Sequence, residues 1–364
     1  MRKIKLLHLI SGLAIGGAEK VVLDLARMLD PTKFETHVVV IGSNIDMLPK
    51  FEKEGISITV LYASKSPISL CQAMKKVDQI IRKHSIELIH AHMFHAMVCA
   101  GWLRLFNRKI KVVFTAHNFD LGSKNRVRLL KWMTSFREVD ILFSSDMKMK
   151  FNHENTRVIP NGIEFEAFQL ELPKFEQFTF LAIGSLTKQK NLMHLIDVVS
   201  NMKTNLSFRL LIAGDGIQRP FLEQAIKEKK IEGRVKLLGL RNDIPQLCNQ
   251  VHALLMPSLW EGFPLVLLEA GAAGLPVITT PVGAIPSLIN NENGYLSNLE
   301  NFKDRMMEIM SDYGLAEQKG NLLQKKVREE FDLSIIIRQH ADLYQCVIEE
   351  TEKTRMNKNK NAIS

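Results

Sequence analysis

Short apolar runs recur along the chain, separated by stretches in which apolar and polar positions alternate with helical spacing. In the first half the runs are "IKLLHLI", "THVVVI", "ISITVLY", "LIHAH", "KVVFTAH", "DILFSS" and "RVIP", with amphipathic stretches such as Ala18 to Leu29 and Ser69 to His84 between them. Runs of this length read as strands buried on both faces, and their alternation with helices predicts a parallel sheet covered by helices. "IEFEAFQLELPKFEQ" then breaks the rhythm, being acidic and without a regular period, and reads as a linker. The rhythm restarts with "FTFLAIG", "FRLLIAG", "RVKLLG", "HALLMP", "PVITT" and "NGYLS". The expectation is an α/β chain of two doubly wound domains, 1–165 and 166–332, followed by an amphipathic helix at about 333–350 and a flexible basic tail at 351–364.

In sheets of this kind ligands bind beyond the carboxyl ends of the strands, so the residues just after each strand carry the candidate chemistry. "SGLAIGGAEKVV" follows the first strand and opens a helix with Gly16 and Gly17, where free N–H groups and the helix dipole attract phosphate. It does not match GxGxxG, and "VVVIGS" lacks the acid that would hold a ribose in a dinucleotide fold, so a dehydrogenase is disfavoured. The same glycines also suit a tight strand-to-helix turn with nothing bound. "AIGSLTKQKN" repeats the arrangement in the second domain, with Gly184, Ser185, Lys188 and Lys190 close to a helix start. An ammonium beside helix-start N–H groups fits a diphosphate, and two solvated lysines are the alternative.

His117 ends the strand "KVVFTAH", a position suited to orienting a sugar or sharing a proton. "HAHMFH" supplies His90, His92 and His95, but no carboxylate or cysteine spacing accompanies them, so no metal is expected. "SLWEGFPLVLLEA" sets Glu261 and Glu269 eight positions apart. Pro264 favours a helix starting at or just after it, which makes Glu261 a loop acid and Glu269 a helix acid. Each carboxylate is able to accept from an adjacent pair of hydroxyls, as sugars and riboses offer, while the N–H groups from Gly262 to Val266 face an anion.

Composition adds an asymmetry. The net charge of +9 sits in the first half, where residues 1–165 hold 25 Lys+Arg against 15 Asp+Glu. Arg104, Arg108, Lys109, Lys111, Lys124, Arg126, Arg128 and Lys131 alternate with Trp102, Leu103, Leu105, Phe106, Leu129, Leu130 and Trp132. Such a face suits an anionic membrane surface, and a solvated helix face is the plain alternative. No nucleic-acid motif accompanies the charge. Four cysteines without CxxC spacing suggest neither a zinc site nor a disulfide framework. No run approaches a membrane span and the apolar stretch at the N-terminus is short for a signal peptide, so a cytoplasmic protein is expected, peripheral at most on the inner face of the membrane.

Taken together, "SGLAIGGAEKVVLDLA", "FTAHN", "RVIPNGIE", "AIGSLTKQKNL", "LLIAGDG", "VKLLGLRNDI" and "PSLWEGFPLVLLEAGAAGLPVITTPVGAIPSLI" resemble the family 4 glycosyltransferases over nearly the whole chain. The E-x7-E pattern at Glu261 and Glu269 is the most specific element. The resemblance implies the GT-B fold, two Rossmann-like domains with a cleft between them, and retaining transfer of a hexose or N-acetylhexosamine from a nucleoside diphosphate sugar without metal or other cofactor. It implies catalytic roles for His117, Lys190 and Glu261. Donor contacts would come from Gly16, Gly17, Gly184, Ser185, Gly214, Arg241, Gly262, Phe263, Pro264, Leu265 and Val266. Glu269 would hold the ribose and Glu261 the transferred sugar, and the C-terminal helix would return to the N-terminal domain. The expected acceptor is a glycan or lipid-linked oligosaccharide in cell-surface polysaccharide synthesis. Many relatives carry arginine where Ser185 stands, which weakens the expected clamp on the diphosphate. A nucleotide-sugar epimerase and a non-catalytic nucleotide-sugar-binding relative are the alternatives; sugar, base, linkage and oligomeric state are not given by these motifs.

Overall fold

The computed structural model describes residues 2–64, 66–117, 123–147 and 155–361, without the side chains of Asp146 and 351–361. Asn118 of "FTAHN" and residues 362–364 of the expected tail lie outside the described residues. The chain divides into two compact units, Met1–Asn161 with Ser334–Ser364, and Gly162–Leu333.

The first unit holds β1 (Ile4–Ile10), β2 (Phe34–Val40), β3 (Ile58–Val60), β4 (Leu88–His92), β5 (Lys111–Thr115), β6 (Val139–Leu142) and β7 (Thr156–Val158). Their order is β3-β2-β1-β4-β5-β6-β7, every described pair parallel. The second holds β8 (Phe178–Ile183), β9 (Phe208–Ala213), β10 (Val235–Gly239), β11 (Ala253–Met256), β12 (Val277–Thr279) and β13 (Tyr295–Leu296), in the order β10-β9-β8-β11-β12-β13. Each order reverses direction once, between β1 and β4 and between β8 and β11. At such a switch point the loops leaving neighbouring strands turn to opposite faces and open a crevice.

The apolar runs form the cores as their pattern requires. Phe180, Leu210, Ile212, Leu255 and Ile278 are buried with Leu195 and Val199 of the helix Leu192–Asn201. In the first unit Ile10, Val38 and Val40 pack with Val22, Leu23 and Phe51. β1 departs from a purely apolar run at His8, which is fully buried.

Two stretches differ from the sequence expectation. "IEFEAFQLELPKFEQ" is a strap lying on the second unit, not an open linker. Phe165 and Phe168 are buried in a 3-10 turn, Gln169 Nε2 donates to Ala272 O at 2.6 Å, and Phe175 N donates to Gln250 O at 2.8 Å. Its phenylalanines hold it down although its acids break the periodicity. The last helix runs from Leu333 to Asn361, past the end of the apolar spacing at Glu350, because Glu, Lys, Arg and Met have high helix propensity even where the apolar period stops.

Candidate active site

β8 ends at the switch point of the second unit, and its loop must turn sharply at Gly184. There φ is +147°, and a Cβ would press on the aliphatic chain of Lys190 at 3.1 Å from Cε. A single 3-10 turn, Lys188–Lys190, then points Lys190 across to the loop that leaves β11. Lys190 Nζ donates to Glu261 Oε1 at 2.6 Å, with 15% and 6% of the two side chains exposed. Gln189 Nε2 donates to Glu261 Oε2 at 3.2 Å and to Trp260 O at 2.9 Å, while Leu259 N donates to Gln189 O at 2.8 Å. The two loops are thus joined through both backbone and side chains. Gly283 completes the support: its φ is +61°, and a Cβ there would lie 2.1 Å from Glu261 O.

After Glu261 the chain passes through buried Phe263, which stacks on Phe331 with centroids 5.5 Å apart. Pro264, in an extended conformation, caps the helix Leu265–Ala272. The free N–H groups of that helix's first turn therefore belong to Leu265 and Val266, on the same loop as Glu261. Glu269 sits within the helix, partly buried and close enough to Cys248 to add to the burial that raises its thiol pKa. The helix is clamped from behind, since a Cβ on Gly271 would meet Val327 at 2.6 Å.

In the first unit Gly16 caps the helix Gly17–Met28, and the anion already there is Glu19. Its carboxylate lies 2.6 Å from where a Gly16 Cβ would be, and it accepts from the N–H groups of Glu19 and Ala14. Burial raises its pKa, by more than the two N–H bonds lower it. His117 Nε2 lies 3.1 Å from His92 Nδ1, and His92 Nε2 lies 3.2 Å from His8 Nδ1. His90, beside them, meets Thr115 Oγ1 and Tyr344 OH at 2.7 Å each. Burial lowers the His8 and His117 pKa values to about 3 and that of His340 to about 4. These rings are neutral near pH 7.

Two family models match: Glycosyltransferase Family 4 over residues 15–167 and Glycosyl transferases group 1 over residues 177–312. The chain is a family 4 glycosyltransferase. It is 23% identical to the N-acetyl-alpha-D-glucosaminyl L-malate synthase of Bacillus anthracis, over 94% of this chain and 97% of that one. It is 25% identical to the UDP-Gal:alpha-D-GlcNAc-diphosphoundecaprenol alpha-1,3-galactosyltransferase of Escherichia coli, over 94% and 97%. The crystal structure of Anabaena HepE in complex with UDP-glucose superposes with a TM-score of 0.82 at 22% identity, covering 94% of this chain and 100% of that one. The fold is GT-B, and the chain is an enzyme of glycosyl transfer.

Within this glycosyltransferase, the structure gathers Gly184, Lys190, Glu261, Gly262, Phe263, Pro264, Leu265 and Val266 on two joined loops at one switch point. Gly214 belongs with them: its φ is +139°, and a Cβ there would sit 2.0 Å from Gly184 O. Ser185 is exposed beside Gly184. Arg241 stands apart in the loop after β10, where its fork meets both oxygens of Asp243 at 2.8 and 2.5 Å.

Sequence reasoning missed Gln189, Glu19, His8, His340 and Tyr344. Gln189 carried no motif, Glu19 stands in the first turn beside Gly16 and Gly17 but reads as an ordinary helix-start acid, and His8, His340 and Tyr344 become neighbours of the site residues only through tertiary packing. The basic face of the first unit is also smaller than its composition suggests. Arg104 and Lys111 both pair with Glu138, at 2.7 and 3.1 Å. What remains exposed is Arg108, Lys109, Lys124, Arg126, Arg128 and Lys131, with Phe106 (75%) and Trp132 (65%) beside them. Among the described residues no helix is long and apolar enough to cross a membrane.

Proposed function

We propose that this glycosyltransferase moves a hexose or N-acetylhexosamine from a UDP-sugar to a glycan or lipid-linked acceptor, with retention of configuration. One observation carries the reading. An ion pair, Lys190–Glu261, bridges the loops leaving β8 and β11, next to the open first turn of the helix Leu265–Ala272. On this reading Lys190 and the free N–H groups of Leu265 and Val266 take the diphosphate. Charge growing on the leaving group is stabilised by groups already in place, and no metal is called for. Glu261 holds hydroxyls of the transferred sugar and Glu269 those of the ribose. Uridine is favoured because HepE is seen with UDP-glucose and the Escherichia coli relative is named for UDP-Gal. The resemblance assigns His117 to the sugar and Gly16 and Gly17 to the diphosphate. Glu19 already occupies that helix start, so their contribution is the weaker one.

A thermal-shift panel of UDP, GDP and ADP sugars tests the donor. The expected result is a rise in melting temperature with UDP sugars, since a ligand that binds the native state stabilises it. Silence across the panel removes the proposal. An epimerase would consume the donor without an acceptor. A binding relative would keep its biological output in Glu261→Ala, in which the enzyme loses turnover. The exposed basic and aromatic residues of the helices Met93–Phe106 and Lys124–Trp132 support docking on an anionic membrane at the cytoplasmic face, where a lipid-linked acceptor would be presented.

A further inference from the structure

We infer that His8 and His92 are positioning residues that fix His117 as the tautomer protonated on Nδ1, so that His117 meets its ligand as a hydrogen-bond donor and not as a base. The inference begins with the chain of three rings, His8 Nδ1 to His92 Nε2 at 3.2 Å and His92 Nδ1 to His117 Nε2 at 3.1 Å. A neutral imidazole carries one N–H and one lone pair. His92 therefore donates through one nitrogen and accepts through the other, and both bonds must run the same way.

The far end decides which way. His8 is completely buried, and its Nε2 has no hydrogen-bond partner among the described residues. If the bonds ran inward from His117, His8 would carry its proton on Nε2 and bury an N–H with nothing to receive it. If they run outward, His8 donates from Nδ1 and leaves only a lone pair unmet. Orphaned buried N–H groups are rarer than orphaned acceptors, and the outward direction is preferred. His92 then donates from Nδ1 to His117 Nε2, and the single proton of His117 sits on Nδ1. Among the described residues no hydrogen bond is made by that nitrogen, and His117 is not fully buried.

A metal ion is the competing use of these rings, because His8, His90 and His92 place donor atoms within 4.8 Å of one another. The surroundings oppose it. Both nitrogens of His90 are already held by hydroxyls at 2.7 Å, so a metal would have to break one of these bonds to gain a third ligand.

The ligand class follows from the polarity: an oxygen lone pair, as on a sugar hydroxyl or ring oxygen. This part rests on the reading that His117 touches the donor sugar. The test uses the full chain labelled with 15N-histidine and long-range 1H–15N correlation at pH 7.5. The His117, His92 and His8 signals are assigned from His117→Asn, His92→Gln and His8→Asn. Protonated Nδ1 with bare Nε2 on His117 is the expected result. A bare Nδ1, an imidazolium, or signals perturbed by stoichiometric zinc would overturn the inference. UDP-glucose is then added. A shift of the His117 Nδ1 proton supports the donor contact, whereas an unmoved signal with the expected tautomer removes His117 from the sugar site and leaves the polarity intact. His92→Phe should lower kcat/KM for UDP-glucose about tenfold, the worth of one hydrogen bond. An unchanged kcat/KM with a lowered melting temperature would mean a merely structural role.

Discussion

Lys190 and Glu261 satisfy each other in a place where little water reaches either. Removing one strands the other, which makes the pair sensitive to single substitutions. Lys190→Met should lower stability in urea denaturation by on the order of 2–3 kcal/mol, because Glu261 is left with Gln189 as its remaining side-chain partner. It should also lower kcat by about 10²-fold, the usual effect of losing one group that stabilises a leaving charge. A Glu261→Gln chain that kept full turnover would speak against the assigned role of this acid. Gly283 is a backbone counterpart. With φ at +61° and Glu261 O only 2.1 Å from any added Cβ, Gly283→Ala should displace the loop. A fall in donor affinity measured by calorimetry, with the far-ultraviolet dichroism unchanged, is the expected outcome. Lys190 and Glu261 were legible in sequence because each is a charged residue in the loop after an apolar run, close to a helix start, and Gln189 was not, because a glutamine in a loop carries no pattern.

Among the elements, the strands could be read from their apolar runs and the parallel, helix-covered sheets from the alternation with helices. The placement of imidazoles on one sheet could not. His8 and His90 are register partners on β1 and β4, His92 pairs with Thr115 on β5, and Tyr344 reaches His90 from 254 positions away. No local spacing records such neighbours. This buried layer also predicts an acid sensitivity. Because the folded pKa values of His8, His117 and His340 are depressed below 6.5, the unfolded chain binds protons that the folded one does not. Their stability contribution is complete above about pH 6.5 and declines as pH falls toward about 4, by up to ~1.4 kcal/mol per pH unit for each ring. Melting between pH 7.5 and 4.5 should show a steep drop with uptake of more than one proton on unfolding. A flat profile would mean that the rings are hydrated or already charged in the native chain. At the helix Gly17–Met28, Glu19 fills the amide pocket that sequence offered to phosphate. Glu19→Gln, which keeps the shape and removes the charge, should strengthen binding of an anionic donor there if Gly16 and Gly17 do meet the diphosphate.

For the whole molecule, composition marked the first half as basic, and the structure narrows its exposed basic face by pairing Arg104 and Lys111 with Glu138. Co-sedimentation with vesicles of phosphatidylglycerol at low salt should therefore depend on Trp132, Phe106 and Arg128, while Arg104→Ala should matter mainly through stability. Binding that persists in a Phe106→Glu, Trp132→Glu double variant would place the contact elsewhere. Deleting 334–364 should make the first unit the earlier target of limited proteolysis, since Tyr344, Leu343 and Val347 are buried against it. The same arrangement constrains synthesis on the ribosome. The first unit is made of the beginning and the end of the chain, with all of the second unit translated in between. The second unit is therefore able to reach its native form while the nascent chain is still attached, but the first waits for its last helix to emerge. Until then His90 lacks the tyrosine hydroxyl that holds it, and the sheet bearing the histidines has an unsealed face. That makes the interval before this helix emerges the time at which this protein most depends on protection from aggregation.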